Sequence, residues 1–207
     1  MTTIPEKKPR TVSRSEKSAQ KRDEIVRMAT EIINAKSYAQ ATLIDIAAAL
    51  NLRDATLYHY FPDKRALAYE CHRTSLERFE KLLHLPEQPG SLGGDKLRHF
   101  IRNMLTDSAQ NGPLLYFGDY SYLHAPQRQE ITEWARRLRN RLVKILREGM
   151  ADGSLTQSEP ELVVHLLLGM LIWLSKWVPA IDSLTVDRLM SAIDAFCFRG
   201  LEARHRP

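Results

Sequence analysis

Between Thr42 and Lys64 the chain holds an unusual density of side chains able to hydrogen-bond outward. Thr56, Tyr58, His59 and Tyr60 crowd together just before Pro62, and Lys64 follows two residues later. Threonine and tyrosine hydroxyls reach phosphate oxygens, and an imidazole can address a base edge in the major groove. At the start of the next helix, the Lys64 ammonium and free backbone N–H groups could grip one phosphate together. The competing interpretation is a buried aromatic cluster, which would have to hide three polar-tipped rings in a row. A surface that touches nucleic acid uses these residue types better.

Two short helices and a tight turn are needed to present them. Thr42 is placed to cap the first helix, with Asp45 three residues on as an acidic variant of the capping box. Leu43, Ile46, Ala47 and Leu50 then form one narrow apolar face at helical spacing. Asn51 tolerates a left-handed stop, and Leu52 buries the turn. Asp54 is predicted to cap the second helix, with Leu57 and Phe61 pointing inward. Pro62 ends it.

The run T-x-x-x-I-A, then L-x-x-x-T-L-Y-x-Y-F-x-x-K-x-x-L, resembles the DNA-binding domain of the tetracycline-repressor (TetR) family of transcriptional regulators. It is carried by Thr42, Ile46-Ala47, Leu52, Thr56-Leu57-Tyr58, Tyr60-Phe61, Lys64 and Leu67. The resemblance implies phosphate contacts from Thr42, Thr56, Tyr58, Tyr60 and Lys64. It implies base contacts from Arg53, Asp54, Ala55 and His59. Several positions depart from the family pattern. Ser37 and Asn51 replace glycines, Arg53 replaces the usual capping serine, and Ala55 replaces the glycine before the threonine. Asp54 stands where lysine or a small residue is frequent. It could accept from cytosine N4 or serve only as a helix cap.

The 207 residues and 43% apolar content are ordinary for a globular chain of one extended core or two domains. The net charge is +5, and residues 1–22 hold seven basic side chains against two acidic ones, the same excess. Such a run is either a solvated tail or an arm that follows the DNA backbone or enters the minor groove. Cys71 and Cys197 show no pairing pattern, which fits a reduced, cytoplasmic setting. The N-terminus lacks the apolar segment of a signal peptide, and the apolar run Leu162–Leu174, broken by His165, is too short to span a bilayer. No membrane partner is expected.

Periodicity predicts an all-α chain with a disordered basic arm over 1–17, a three-helix helix-turn-helix domain over 18–66 and a larger helical ligand-binding and dimerisation domain over 67–207. The first helix is expected from Ser18 to Lys36, with Ile25, Met28, Ala29, Ile32 and Ile33 inside. A long helix from Asp63 or Lys64 to Leu85 is shared by both domains, its inner face being Leu67, Cys71, Phe79, Leu82 and Leu83. Pro86, Pro89, Gly90 and the Gly93-Gly94 pair then break the pattern. Asp95 is expected to cap the following helix, which Asn111-Gly112-Pro113 stops. Leu114–Leu123 reads as a short or bent helix. A helix from Pro126 carries Ile131, Trp134, Ala135, Leu138, Leu142, Ile145 and Leu146, and Gly149 and Gly153 end it. Ser158-Glu159-Pro160-Glu161 reads as a capping box for a helix to Val178. Thr185 opens the last helix, with Val186, Leu189, Met190, Ile193, Phe196, Cys197 and Leu201 on one side.

The helix after Pro160 is apolar nearly all round, and such a helix is covered on most sides. It is either the core helix of a monomer or, beside the last helix, half of a four-helix homodimer interface, as the family resemblance also implies. Leu166, Gly169, Met170, Leu189, Ile193 and Phe196 are the expected interface residues. The aromatic residues of the second half suit an apolar pocket with a few polar handles. Phe100, Met104, Tyr116, Phe117, Tyr120, Trp134, Leu138 and Trp173 are the expected lining. His99, His124 and His165 are candidate handles or ordinary surface and core histidines. The pattern around Gly169, Met170, Trp173 and Trp177 loosely resembles regulators that sense acyl-CoA thioesters, and the aromatic content suits an aromatic or cationic drug as well.

No metal spacing, nucleophile elbow or glycine-rich phosphate loop is present, so no cofactor, metal or catalytic residue is predicted. The expected function is a ligand-responsive regulator, most simply a repressor, with double-stranded operator DNA, a second copy and a small-molecule effector as partners. The rivals are a ligand-free DNA-bound structural or cell-cycle factor of the same fold, and a helical lipid carrier or enzyme.

Overall fold

The computed structural model describes residues 13–84, 91–115 and 119–199. Within them the chain forms eight α-helices and no strand: α1 (Arg14–Lys36), α2 (Leu43–Ala49), α3 (Asp54–Tyr60), α4 (Lys64–Leu83), α5 (Gly93–Asn111), α6 (Ala125–Ala151), α7 (Pro160–Trp177) and α8 (Val186–Ile193). A 3-10 turn (Val178–Ala180) follows α7, and a π-helical stretch (Asp194–Arg199) prolongs α8.

Helix α1 starts earlier than its apolar stripe suggests. Ser13 and Glu16 close a reciprocal capping box, so residues 14–17 are helical rather than disordered. The rest of the expected arm, 1–12, lies outside the described residues. α1 ends at Ser37, whose φ of 76° explains why a glycine would serve there. Thr42 and Asp45 form the expected box on α2, and Asn51 takes the left-handed turn at φ 53°. Asp54 does not cap α3. The capping position is Arg53, without a side-chain hydrogen bond, and Asp54 is the first helical residue.

Two apolar clusters organise the chain. The first gathers Ile25, Ala29 and Ile33 of α1, Ile46 and Ala47 of α2, and Leu57 and Phe61 of α3 around Leu67, Ala68 and Cys71 of α4. The second begins further along α4 with Leu76, Phe79 and Leu83 and includes most buried residues of α5 to α8. α4 therefore contributes to both, and the change of core falls between Cys71 and Leu76.

Several expected boundaries are corrected. α5 begins at Gly93, capped by Leu92 and not by Asp95. Its first free amides are satisfied from the loop after α6: Gly93 N donates to Asp152 Oδ2 at 2.7 Å and Gly94 N to Ser154 Oγ at 2.8 Å. The glycines that look like breakers are there for closeness, because a Cβ on Gly93 would lie 2.2 Å from Gly149 N. Gly149 is accordingly inside α6 and does not end it. The stretch expected as a short helix, 114–123, is non-helical at its described positions, 114–115 and 119–123. The Ser158 capping box is not formed; Glu159 occupies the cap position without a side-chain bond, and Pro160 opens α7.

α7 is longer than the apolar run within it. At 18 residues it is long and apolar enough to cross a membrane by length and composition. One side of it, Val164, Leu167, Leu171 and Leu174, is buried in the second cluster.

Candidate nucleic-acid interface and apolar cavities

α3 sorts its side chains by depth. Leu57 and Phe61 are buried, while Arg53, Asp54, Ala55, Tyr58 and His59 are exposed and Thr56 and Tyr60 are half-buried. Tyr58 leaves 56% of its surface to solvent, and Thr42, at the start of α2, is exposed as well. The phenol is held out from a helix whose other side is packed, which leaves its hydroxyl open to a partner. His59 stands edge-on to the Tyr60 ring, centroids 5.4 Å apart, and that ring packs against the first cluster.

Residues the sequence did not single out fix the angle of α3. Arg22 of α1 lies over the Phe61 ring at 4.3 Å and donates to the Tyr60 carbonyl at 3.3 Å. It also pairs with Glu70 of α4 at 3.3 Å. Lys36 pairs with Asp45 at 2.9 Å, tying the end of α1 to the start of α2. Nothing local marks Arg22 for this role, because Tyr60, Phe61 and Glu70 lie far from it along the chain.

Lys64 is placed differently from the phosphate grip expected of it. Its Nζ donates to the carbonyls of Tyr38 (2.8 Å), Ala41 (2.9 Å) and Ala39 (3.5 Å) and sits 4.3 Å above the Tyr38 ring. The amide of Ala66 is taken by the Asp63 carboxylate at 2.7 Å. Lys64 thus braces the α1–α2 loop to α4, using charge-assisted bonds to carbonyls that have no helical partner.

A line of aromatic residues leads away from that brace. Tyr38 stacks on Tyr122, centroids 3.6 Å apart and planes 7° apart. The Tyr122 hydroxyl meets His72 Nε2 at 2.7 Å, and His72 stands edge-on to Tyr120 at 5.0 Å. His72 is fully buried on α4, and its Nδ1 has no hydrogen-bond partner. Burial pushes its pKa down to about 4, against the attraction of Asp119, so the ring is neutral near pH 7. The same burial raises the Tyr122 hydroxyl and pushes the Cys71 thiol up to about 12, leaving it unreactive.

Tyr120 forms part of the wall of a cavity of about 420 Å³ between α4, α6 and α7. Leu76, Phe79, Leu138, Leu168 and Ile172 make it apolar, and Arg136, Arg139 and His165 give it a basic edge. A second cavity, about 200 Å³, lies between α5, α7 and α8. The expected ligand residues divide among several places. Tyr120 and Leu138 line the first cavity and Met104 the second. Phe100 is core, edge-on to Phe79 at 5.4 Å. Trp134 is half-buried and donates from Nε1 to Glu80 at 3.1 Å. Trp173 points outward, 61% exposed, which corrects its assignment to a pocket. Tyr116 and Phe117 lie outside the described residues. His165 is at the cavity edge, His99 is exposed, and exposed His124 meets Arg65 at 3.0 Å.

The outer side of α7 carries Leu162, Leu166 (67% exposed), Trp173 and Trp177 at helical spacing. Gly169 lies in the same stripe with open space where a Cβ would be. Phe196, in the π-helical stretch, is exposed as well, and Met170 and Leu189 are half-buried. Ile193 is an exception to the expected interface: it is 4% exposed and belongs to the second core cluster.

Two family models match the chain. Residues 25–71 match the one described as bacterial regulatory proteins, tetR family, and residues 90–201 match the tetracyclin repressor-like C-terminal domain. No curated protein sequence matches it. Among solved structures the chain is similar to AibR in complex with isovaleryl coenzyme A and operator DNA, with 19% identity and a TM-score of 0.65 over 87% of this chain and all of that one. It is also similar to the fatty acid degradation regulator FadR from Bacillus halodurans (23% identity, TM-score 0.64, 90% of this chain and 97% of that chain). A third similar structure is the TetR family transcriptional regulator PfmR from Thermus thermophilus (24% identity, TM-score 0.64, 86% of this chain and 99% of that chain). At these identities the likeness is one of fold.

Proposed function

The chain belongs to the TetR family of bacterial regulators, matched over more than half its length, and from that premise we propose that it is a cytoplasmic, homodimeric, non-enzymatic repressor released from operator DNA by a small anionic amphiphile. The observation that carries the DNA-binding half is the division of α3, with Leu57 and Phe61 anchored inside and the Arg53 to His59 face left open. Thr42, Thr56, Tyr58 and Tyr60 take phosphates, and Arg53, Asp54, Ala55 and His59 meet base edges. Lys64 acts from behind as well, by bracing the loop that precedes α2.

Pairing of α7 and α8 with their copies through a two-fold axis supplies the second recognition helix. Leu166, Gly169, Trp173 and Phe196 form its centre, with Met170 and Leu189 at the edge and Ile193 packed behind them. A one-sided apolar stripe whose reverse is core fits a partner helix better than lipid on several sides. The division into a DNA-binding and a ligand-binding and dimerisation domain follows the two clusters, with the junction inside α4.

The effector is read from the cavity of about 420 Å³, whose apolar walls end at Arg136 and Arg139. Neither arginine makes an ion pair among the described residues. An acyl chain inside and a phosphate or carboxylate at the arginines satisfies both parts, as an acyl-CoA thioester would. AibR's complex with isovaleryl coenzyme A supports that class. Occupation displaces Leu76 and Phe79 of α4, and α4 carries the movement to Leu67 and Cys71 under α3. Release then follows from the ligand's unequal affinity for the two arrangements.

The test is binding to DNA from upstream of the protein's own coding sequence, titrated with salt and against random duplex. Sequence-dependent binding with a steep salt slope, lost on adding a medium-chain acyl-CoA, is expected. Arg136→Ala with Arg139→Ala should keep DNA binding and lose the response. Absence of DNA binding at low salt overturns the reading, and binding that no acyl-CoA relieves favours a ligand-free factor of the same fold.

A further inference from the structure

The cavity between α5, α7 and α8 has a different chemistry from the one just assigned. Its volume is about 200 Å³, and its walls include Leu105, Leu171, Leu174, Val186 and Leu189, with no charged side chain among the lining residues. Three hydroxyls reach it, those of Ser108, Ser175 and Thr185; Ser175 donates to the Ile172 carbonyl at 3.0 Å, and Thr185 accepts the Arg188 amide at 3.2 Å. Water gains little in such a space, since it needs two or more polar partners. Even an enclosed apolar cavity of about 150 Å³ has room for benzene.

This cavity is also tied to the DNA-binding half from two sides. Leu114 lines it, and the Leu114 carbonyl accepts from Asn34 Nδ2 of α1 at 2.8 Å. The next residue, Leu115, is buried in the first core cluster. On the opposite wall, Lys176 follows Ser175, and its ammonium donates to the carbonyls of Asn34 and Ala35 at the end of α1. From there Lys36 reaches Asp45, which caps α2. Any change in the spacing of the two walls therefore pulls on the last turn of α1 from both directions.

We propose that this cavity is a second ligand site, for a small uncharged apolar molecule such as a substituted benzene or short hydrocarbon, and that its occupancy is transmitted to α1 and α2 through Leu114–Asn34 and Lys176–Asn34/Ala35. It is separate from the basic-edged cavity and takes a ligand without a charged head.

The probes are toluene and propylbenzene added to the full-length, methyl-labelled protein, followed by NMR. Saturable shifts are expected on the methyls of Leu171, Leu174, Val186 and Leu189, together with shifts of the backbone amides of Asn34 to Lys36 and of Asp45. Ser175→Leu, or Val186→Phe if that variant folds poorly, fills the space and should abolish both sets. Lys176→Met should keep the methyl shifts and shrink the amide shifts at least several-fold. No methyl shifts up to the solubility of the probes, or shifts confined to Leu76, Leu138 and Leu168 around the other cavity, overturn the site. Methyl shifts without amide shifts in the parent protein overturn the coupling. Neither readout needs DNA, so a failure here is distinct from a failure of the repressor assignment.

Discussion

Tyr58, His59 and Lys64 look equivalent in a list of polar residues near a helix-turn-helix, yet they stand in different physical situations. Tyr58 is exposed and its hydroxyl free to meet a phosphate, so Tyr58→Phe should weaken binding to all duplexes alike, with the salt slope and the melting temperature unchanged because no charge is removed. His59→Ala should instead relax preference at one base pair, read from a panel of substituted operators. Lys64 holds three loop carbonyls, so Lys64→Ala should lower stability by about 1–3 kcal/mol as well as reduce DNA affinity. An unchanged denaturant midpoint for that variant would show that the brace is unimportant. His72 offers a second measurement. Its folded pKa of about 4 lies below the value near 6.5 expected of the unfolded chain. Unfolding therefore takes up a proton between those values, and stability rises with pH through that window. The contribution is full above about pH 6.5 and is lost on acidification toward pH 4, amounting to about 3 kcal/mol. His72→Gln should remove that part of the slope, measured as the difference between variant and parent denaturation midpoints at pH 7 and pH 4.5.

At the scale of elements, the contact between the start of α5 and the end of α6 is the most demanding. Gly93 meets the backbone of Gly149, and a neighbour that is backbone cannot turn aside. Gly93→Ala should cost about 1–3 kcal/mol or more, the range of overpacked sites, whereas Gly153→Ala meets open space and is penalised only by its φ of 76°. Thermal unfolding of the two variants would separate close approach from backbone conformation. The sequence offers both glycines as loop punctuation. Which of them is a packing contact depends on a helix almost sixty residues away, and no local window contains it. The caps show the same division. Thr42 with Asp45, and Thr185, are legible because capping is a property of four consecutive residues. The amides of Gly93 and Gly94, satisfied by Asp152 and Ser154, are not.

For the whole molecule, the proposed pairing through the exposed stripe on α7 would set whether one recognition helix or two reach the DNA. Leu166→Glu together with Trp173→Glu should shift the protein to monomer in sedimentation experiments and lower affinity for a two-half-site operator at least tenfold, since the second half-site no longer binds as a tethered partner. The fold of each chain should persist, because both side chains lie outside the core. A dimer of undiminished stability would place the interface elsewhere. The shared helix α4 joins the two cores, with Leu67 and Cys71 in one and Leu76 and Phe79 in the other.

The helical class, the turn at Asn51, the inward pair Leu57 and Phe61 and the outward face of α3 are all legible along the chain, because each rests on periodicity or on chemistry within a few residues. Composition alone also marks α7 as a helix needing a covering. Packing chose which faces of α7 and α8 are core, so that Trp173 of α7 points away from the cavities and Ile193 of α8 away from solvent. It alone turned Lys64 toward the α1–α2 loop, buried His72 beside Tyr122, and opened two cavities of unlike chemistry. Those outcomes are set by pairs of residues distant along the chain, whose contacts exist only once the helices have packed.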